Sequence, residues 1–278
     1  MFVSQVISSW NDFKELAAQR SDSRWIYRGQ SCRTWCLSSP LERALQSWGL
    51  GLDQAANIEW QMIRDFRRRY QGADRTKIDR DTLYCLASMQ HHRAPTRLID
   101  WTYSPYVAAR FAVEAGSRTG AVYCLDYRWC EEVAYTVGDR CLLTKRDRQR
   151  DEMSFRKLYM EPQNGHKFVF TENPFHLNLR LTVQQGLFLC PGDVSAPFME
   201  NLRDMLKKRP ADGKMIKLMF DLSADGVRDF ALQLTRMNID SSALFPGVDG
   251  FARSIGERIP LYAKLGSDVG PPRNHPER

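Results

Sequence analysis

Hydrophobic positions recur every third or fourth place along residues 55–70, where Ile58, Met62 and Phe66 line one face of a predicted helix. Over residues 81–92 the same spacing places Leu83, Leu86, Ala87 and Gln90 on related faces of a second. Shorter helices are predicted from Ser9 or Asn11 as cap, and from Ser39 with Pro40 in the first turn. Residues 25–30 read as a strand running into a turn at Gly29. Residues 106–112, after Pro105, give an Ala-rich helix suited to close packing on a sheet. Residues 120–126 read as a buried strand, and 167–170, 180–189 and 215–220 supply more. A helix over 224–237 follows, capped by Ser223. Helices dominate the first half of the chain, and strands with intervening helices the second. That is α+β, with no alternating βαβ rhythm and no Gly-rich dinucleotide fingerprint. One domain is expected over residues 1–265, with a flexible tail at 266–278.

The stretch from Gln90 to Pro105 departs from this pattern. It places His91, His92, Arg93, Arg97, Asp100, Trp101 and several hydroxyl groups between two apolar segments. Buried polar groups cost free energy unless paired, so the segment either builds a network that fixes the fold or lines a site. The net charge of +7 permits an anionic partner such as a nucleotide or nucleic acid. Basic residues cluster at 64–69, 145–150 and 207–209, where solvated helix faces and loops are the ordinary alternative. The seven cysteines are odd in number and scattered, which reads as reduced thiols in a cytoplasmic protein. No apolar run reaches the length of a membrane span, so no membrane partner is expected.

Tyr27-Arg28-Gly29-Gln30, then Trp35 with Ser39-Pro40-Leu41-Glu42-Arg43, then the Pro95-Thr96-Arg97-Leu98-Ile99-Asp100-Trp101-Thr102 string resemble the FRG domain, here with Tyr in place of Phe in its Phe-Arg-Gly motif. Arg180, Gln184-Gln185-Gly186-Leu187-Phe188 and the run from Ser242 to Gly250 also fit, so the resemblance spans about residues 24–255. Arg93-Ala94 stands where the family more often has an aromatic residue and a Gly. The resemblance implies a bacterial or phage-encoded protein, in keeping with an anti-phage defence effector or toxin.

The order of motifs is similar to the arginine-type ADP-ribosyltransferase fold. That resemblance implies a split, mostly antiparallel sheet flanked by helices, with NAD bound and a macromolecular acceptor, protein or nucleic acid. Arg28, with Gly29 and Gln30, would hold the pyrophosphate or nicotinamide ribose; Arg97 would assist; Thr102 and Ser104 would take the hydroxyl role. Gln184 or Gln185 would stand where a Glu is expected, on a strand where only one of the two can face a pocket. Gln cannot supply the negative charge that an oxocarbenium-like transition state needs, so Glu59 or Asp100 is the alternative carboxylate. His91 is the candidate general acid or base.

Structural roles compete at each position. Arg28 could pair with Asp100 or Glu42, Arg97 with Asp100, His91 could serve the helix C-terminus, and Trp101 could belong to the core. A shared metal site among His91, Asp100 and His166 is not expected, nor is a Ser-His-Asp hydrolase, since no Gly-x-Ser-x-Gly elbow occurs. The enzyme reading covers an NAD-dependent ADP-ribosyltransferase or NAD glycohydrolase. The alternatives are a nucleic-acid-binding or nuclease module and a non-catalytic protein-interaction or sensor domain. Convergence of Arg28, Thr102 and Gln184 or Gln185 on one open cleft would favour the enzyme.

Overall fold

The computed structural model describes residues 2–20, 22–149, 151–161, 165–174, 179–259 and 261–262; the tail at 266–278 lies outside them. Seven strands form one sheet: β1 (Val3–Ile7), β2 (Trp25–Gln30), β3 (Ile99–Thr102), β4 (Ala121–Asp126), β5 (Val169–Glu172), β6 (Gly186–Pro191) and β7 (Met215–Phe220). Their order is β1-β7-β4-β2-β3-β6-β5, antiparallel throughout except for the parallel edge pair β1/β7. The helices are α1 (Trp10–Ala18), α2 (Pro40–Ser47), α3 (Ala55–Arg69), α4 (Arg75–Arg80), α5 (Thr82–His91), α6 (Pro105–Ala112), α7 (Tyr127–Val137), α8 (Arg140–Gln149), α9 (Glu152–Phe155), α10 (Leu179–Val183), α11 (Phe198–Lys208), α12 (Ala224–Arg236), α13 (Ser241–Leu244) and α14 (Val248–Glu257). Among the described residues no helix is long and apolar enough to cross a membrane.

The cap chemistry read from the sequence sets several helix starts. Ser9 and Asp12 form a reciprocal capping box on α1. Ser39 caps α2 ahead of Pro40, and Ser223 caps α12. Alternate residues of the central strands feed two cores on opposite faces of the sheet. Trp25, Tyr27, Val122 and Cys124 pack with α1, α6 and α12, whereas Ile26, Tyr123 and Leu125 join the larger core under α3, α5, α7 and α11.

Two expectations are corrected. Residues 180–189 are not one strand: Leu179–Val183 is helix, Gln184 and Gln185 form the turn, and the strand starts at Gly186. Gln185 has a φ of 48°, so the chain reverses there rather than alternating faces. Gly29 lies inside β2, not at a turn after it, and its role is packing. A Cβ at this position would lie 1.8 Å from the Ala108 carbonyl oxygen of α6, so only glycine lets the helix settle on the strand. Gly29→Ala is expected to destabilise the protein by about 1–3 kcal/mol through this overlap, measurable as a lower midpoint in urea unfolding.

Candidate functional site

The sheet is almost parted at its centre. Between β2 and β3 only Tyr27 and Thr102 form a ladder pair, while β2 pairs with β4 over its whole length and β3 with β6 over its own. Beyond Tyr27 the two strands separate, and a cleft of about 590 Å³ opens there. That volume falls in the usual range for small-molecule sites, about 300–1,000 Å³. Arg28, Gln30, Asp100 and Thr102 come from the parted strands, Glu42 and Arg43 from α2, Phe111 from α6, Trp35 and Cys36 from the loop after β2, and Arg180 and Gln184 from α10 and its following turn.

Three guanidiniums meet in this cleft. Arg28 reaches across the parting and donates from Nη1 to the Asp100 carbonyl at 2.6 Å, where the ladder would otherwise have continued. Its Nε is buried without a hydrogen-bond partner. Arg43 donates to the Ser38 carbonyl at 2.6 Å, and Arg180 lies over the Phe245 ring at 4.8 Å. None of the three makes an ion pair with a carboxylate among the described residues. Burial lowers the pKa of each, and the charge of Asp100 opposes that shift in all three. The Asp100 carboxylate therefore sits within the field of all three without closing a salt bridge to any. The expected pairing of Arg28 with Asp100 takes the form of a bond to the backbone carbonyl.

Two further carboxylates line the cleft, Glu42 and Glu114, and the first is committed to structure. Glu42 is buried, its carboxyl pushed up by that burial, and it accepts the Phe198 N–H at 3.1 Å at the start of α11. Thr102 and Gln184 are also at the cleft, but their polar groups are engaged. Thr102 Oγ1 donates to the Gln184 carbonyl at 2.6 Å and accepts from the Ser104 N–H at 3.0 Å. Gln184 Nε2 donates to the Leu244 carbonyl at 2.9 Å. Gln30 is buried on the cleft wall, with Oε1 unpartnered.

Several sequence candidates lie elsewhere. Arg97 is sealed in the core with Glu59, both 0% exposed. It bonds the Glu59 carboxylate through its backbone N–H at 2.9 Å and Nε at 2.5 Å, and donates to the Tyr159 carbonyl at 2.5 Å. Neither it nor Glu59 reaches the cleft, and the pairing of Arg97 with Asp100 is replaced by this one. Ser104 caps α6, accepting from the Val107 N–H at 3.3 Å, and does not line the cleft. Gln185 is exposed in its turn, and its carbonyl accepts from the Tyr103 N–H. His91 ends α5 at the surface, beside a side cavity of about 20 Å³ shared with Asp100, Arg180 and Gln184. Partial burial, with His92 and Arg180 near it, lowers its pKa. Trp101 is a core residue, 2% exposed, although it also borders the cleft.

Arg43 and Arg180 are the cleft residues that the sequence left without a role. Their signal was there: each is a cation on a short helix beside buried apolar neighbours, Leu41 and Leu45 for Arg43 and Leu181 for Arg180. The basic clusters contribute less than their count suggests. Arg69 pairs with Asp65, Arg146 with Glu172, Lys207 with Asp204 and Arg209 with Glu132, and Arg67 bonds the Ile78 carbonyl. Among the described residues no group of three or more His, Cys, Asp or Glu side chains is placed to hold a metal ion.

The family model for the FRG domain matches residues 23–120, the segment that supplies Arg28, Trp35, Arg43 and Asp100 to the cleft. The chain carries an FRG domain. The match ends before Arg180 and Gln184, so the later stretches thought to fit the FRG domain lie outside it. No curated protein and no solved structure matches the chain. The FRG segment thus provides β2, α2, β3 and α6, and the second half of the chain closes the FRG cleft with α10 and the turn after it.

Proposed function

We propose that the cleft binds the diphosphate of an NAD-class dinucleotide and that the protein is an ADP-ribosyltransferase-like enzyme with a macromolecular acceptor. The observation that carries this reading is the convergence of Arg28, Arg43 and Arg180 on one cleft with no carboxylate among the described residues ion-paired to any of them. A planar fork of N–H donors suits phosphate oxygens, and partly buried guanidiniums without a counter-ion favour an anionic ligand. The parted sheet adds support, since it is the form the motif order implied. The likeness to ADP-ribosyltransferases rests on that arrangement and the motif order alone, and the role as defence effector or toxin on the FRG resemblance alone.

Within this reading Asp100 replaces the Glu absent at Gln184. Its carboxylate would stabilise positive charge on the ribose as the bond from C1′ to the nicotinamide nitrogen breaks, with the bonding pair leaving on nicotinamide. An acceptor nucleophile then bonds to C1′ and gives up its proton. Water in the same place makes the enzyme an NAD glycohydrolase. Arg28 holds the diphosphate and keeps the Asp100 strand in place through the Asp100 carbonyl.

Incubation of the whole chain with labelled NAD tests the reading. The wild type is expected to bind NAD and release nicotinamide. Asp100→Asn is expected to retain NAD affinity while turnover falls by about 10²–10⁴-fold, the size of a lost charge-stabilising or acid–base group. A wild type that neither binds nor cleaves NAD overturns it.

A further inference from the structure

Trp35 differs from the other aromatic side chains of the cleft. It is 56% exposed, although a large aromatic ring gains most when covered. Two other tryptophans are also exposed, Trp48 at 81% and Trp60 at 41%, but neither lines the cleft. The loop that carries Trp35 is well anchored. Ser117 Oγ donates to the Ser31 carbonyl, and Arg33 N–H donates to the Thr119 carbonyl at 2.7 Å. Lys217 Nζ donates to the Arg33 carbonyl at 2.6 Å, and Tyr123 OH donates to the Trp35 carbonyl at 2.7 Å. A largely exposed indole is therefore presented to the cleft on a fixed backbone, in a lining it shares with Arg28 and Arg43.

We infer that Trp35 is the stacking platform for the adenine base of the nucleotide whose diphosphate the three guanidiniums take. The inference rests on the nucleotide reading above and adds to it a requirement for an aromatic base. Depth assigns the base. The reacting ribose has to reach Asp100, half-buried on the otherwise buried β3, so the exposed ring belongs to the end that does not react. A base laid on an exposed, pre-positioned ring covers apolar area on both partners and orders little of the protein.

Calorimetric titration of ADP, inorganic pyrophosphate and nicotinamide mononucleotide into the whole chain tests this, using wild type, Trp35→Ala and Trp35→Phe. In Trp35→Ala, ADP affinity is expected to fall about tenfold or more, and Trp35→Phe to recover it to within about threefold. Pyrophosphate and nicotinamide mononucleotide are expected to change by less than about twofold, since neither needs the platform. Unchanged ADP affinity in Trp35→Ala, or equal weakening of ADP and pyrophosphate, overturns the stacking role and leaves the nucleotide reading standing. A loss confined to nicotinamide mononucleotide overturns the assignment to adenine. A wild type that binds neither ADP nor pyrophosphate overturns both.

Discussion

Glu59→Ala is expected to lower the free energy of unfolding by about 3–5 kcal/mol, the usual cost of removing one partner from a buried ion pair. Arg97 would be left in a core where it is 0% exposed, with only the Tyr159 carbonyl facing its guanidinium. The Arg97 backbone N–H would lose its acceptor in the same step. A stability loss of that size in a chain this long corresponds to a drop in Tm of roughly 6–20 °C, readable by scanning calorimetry. Glu59→Gln keeps an acceptor for the backbone N–H but removes the charge, so it should fall between wild type and Glu59→Ala. Pairing Glu59→Leu with Arg97→Met should cost less than the sum of the two single changes, because no charge is then left buried alone. A loss below about 1 kcal/mol in Glu59→Ala would mean that the pair does not hold α3 to the segment before β3.

The second large effect is on binding. Arg28→Ala is expected to weaken NAD affinity about ten- to 100-fold, as the loss of one charged hydrogen-bonding partner of a phosphate would. It should also cost stability, since the Asp100 carbonyl loses its donor at the parting of the strands. Titration at a temperature where the variant is fully folded separates the two effects. Arg28→Lys keeps the charge but not the planar fork, and is expected to recover part of the affinity and little of the contact across the parting. An Arg28→Ala variant that binds NAD as tightly as wild type would remove Arg28 from the site and leave it a structural clamp.

The sequence showed the helical layer more readily than the site. Caps such as Ser9, Ser39 and Ser223 act within a few residues of themselves, so their effect can be read locally. The Ala-rich run at α6 also foretold its close seat on the sheet, although the glycine beneath it looked like a ligand contact. Polar residues were harder to place. Arg97 and Asp100 stand three positions apart, yet one is sealed against Glu59 and the other lines the cleft. What separates them is the transition at Ile99 from an approach segment under α3 into a strand beside the gap, and residue type carries no mark of it. The Gln184–Gln185 pair was misread because a short helix ending in a left-handed residue has the composition of a strand. Arg43 and Arg180 lie far apart in sequence, and only the bonding of the turn after α10 to the end of β3 makes them neighbours of one space.

The lone rung between Tyr27 and Thr102 makes the sheet two leaves, one of β1, β7, β4 and β2 and the other of β3, β6 and β5. Arg28 belongs to the first leaf, while Asp100 and the helix bearing Arg180 belong to the second. A diphosphate gripped by both guanidiniums, as proposed, would be a suture across the seam, and its binding energy would add to the cohesion of the whole sheet. On the proposed nucleotide reading, ligand affinity and the mechanical integrity of the fold would be set at the same line.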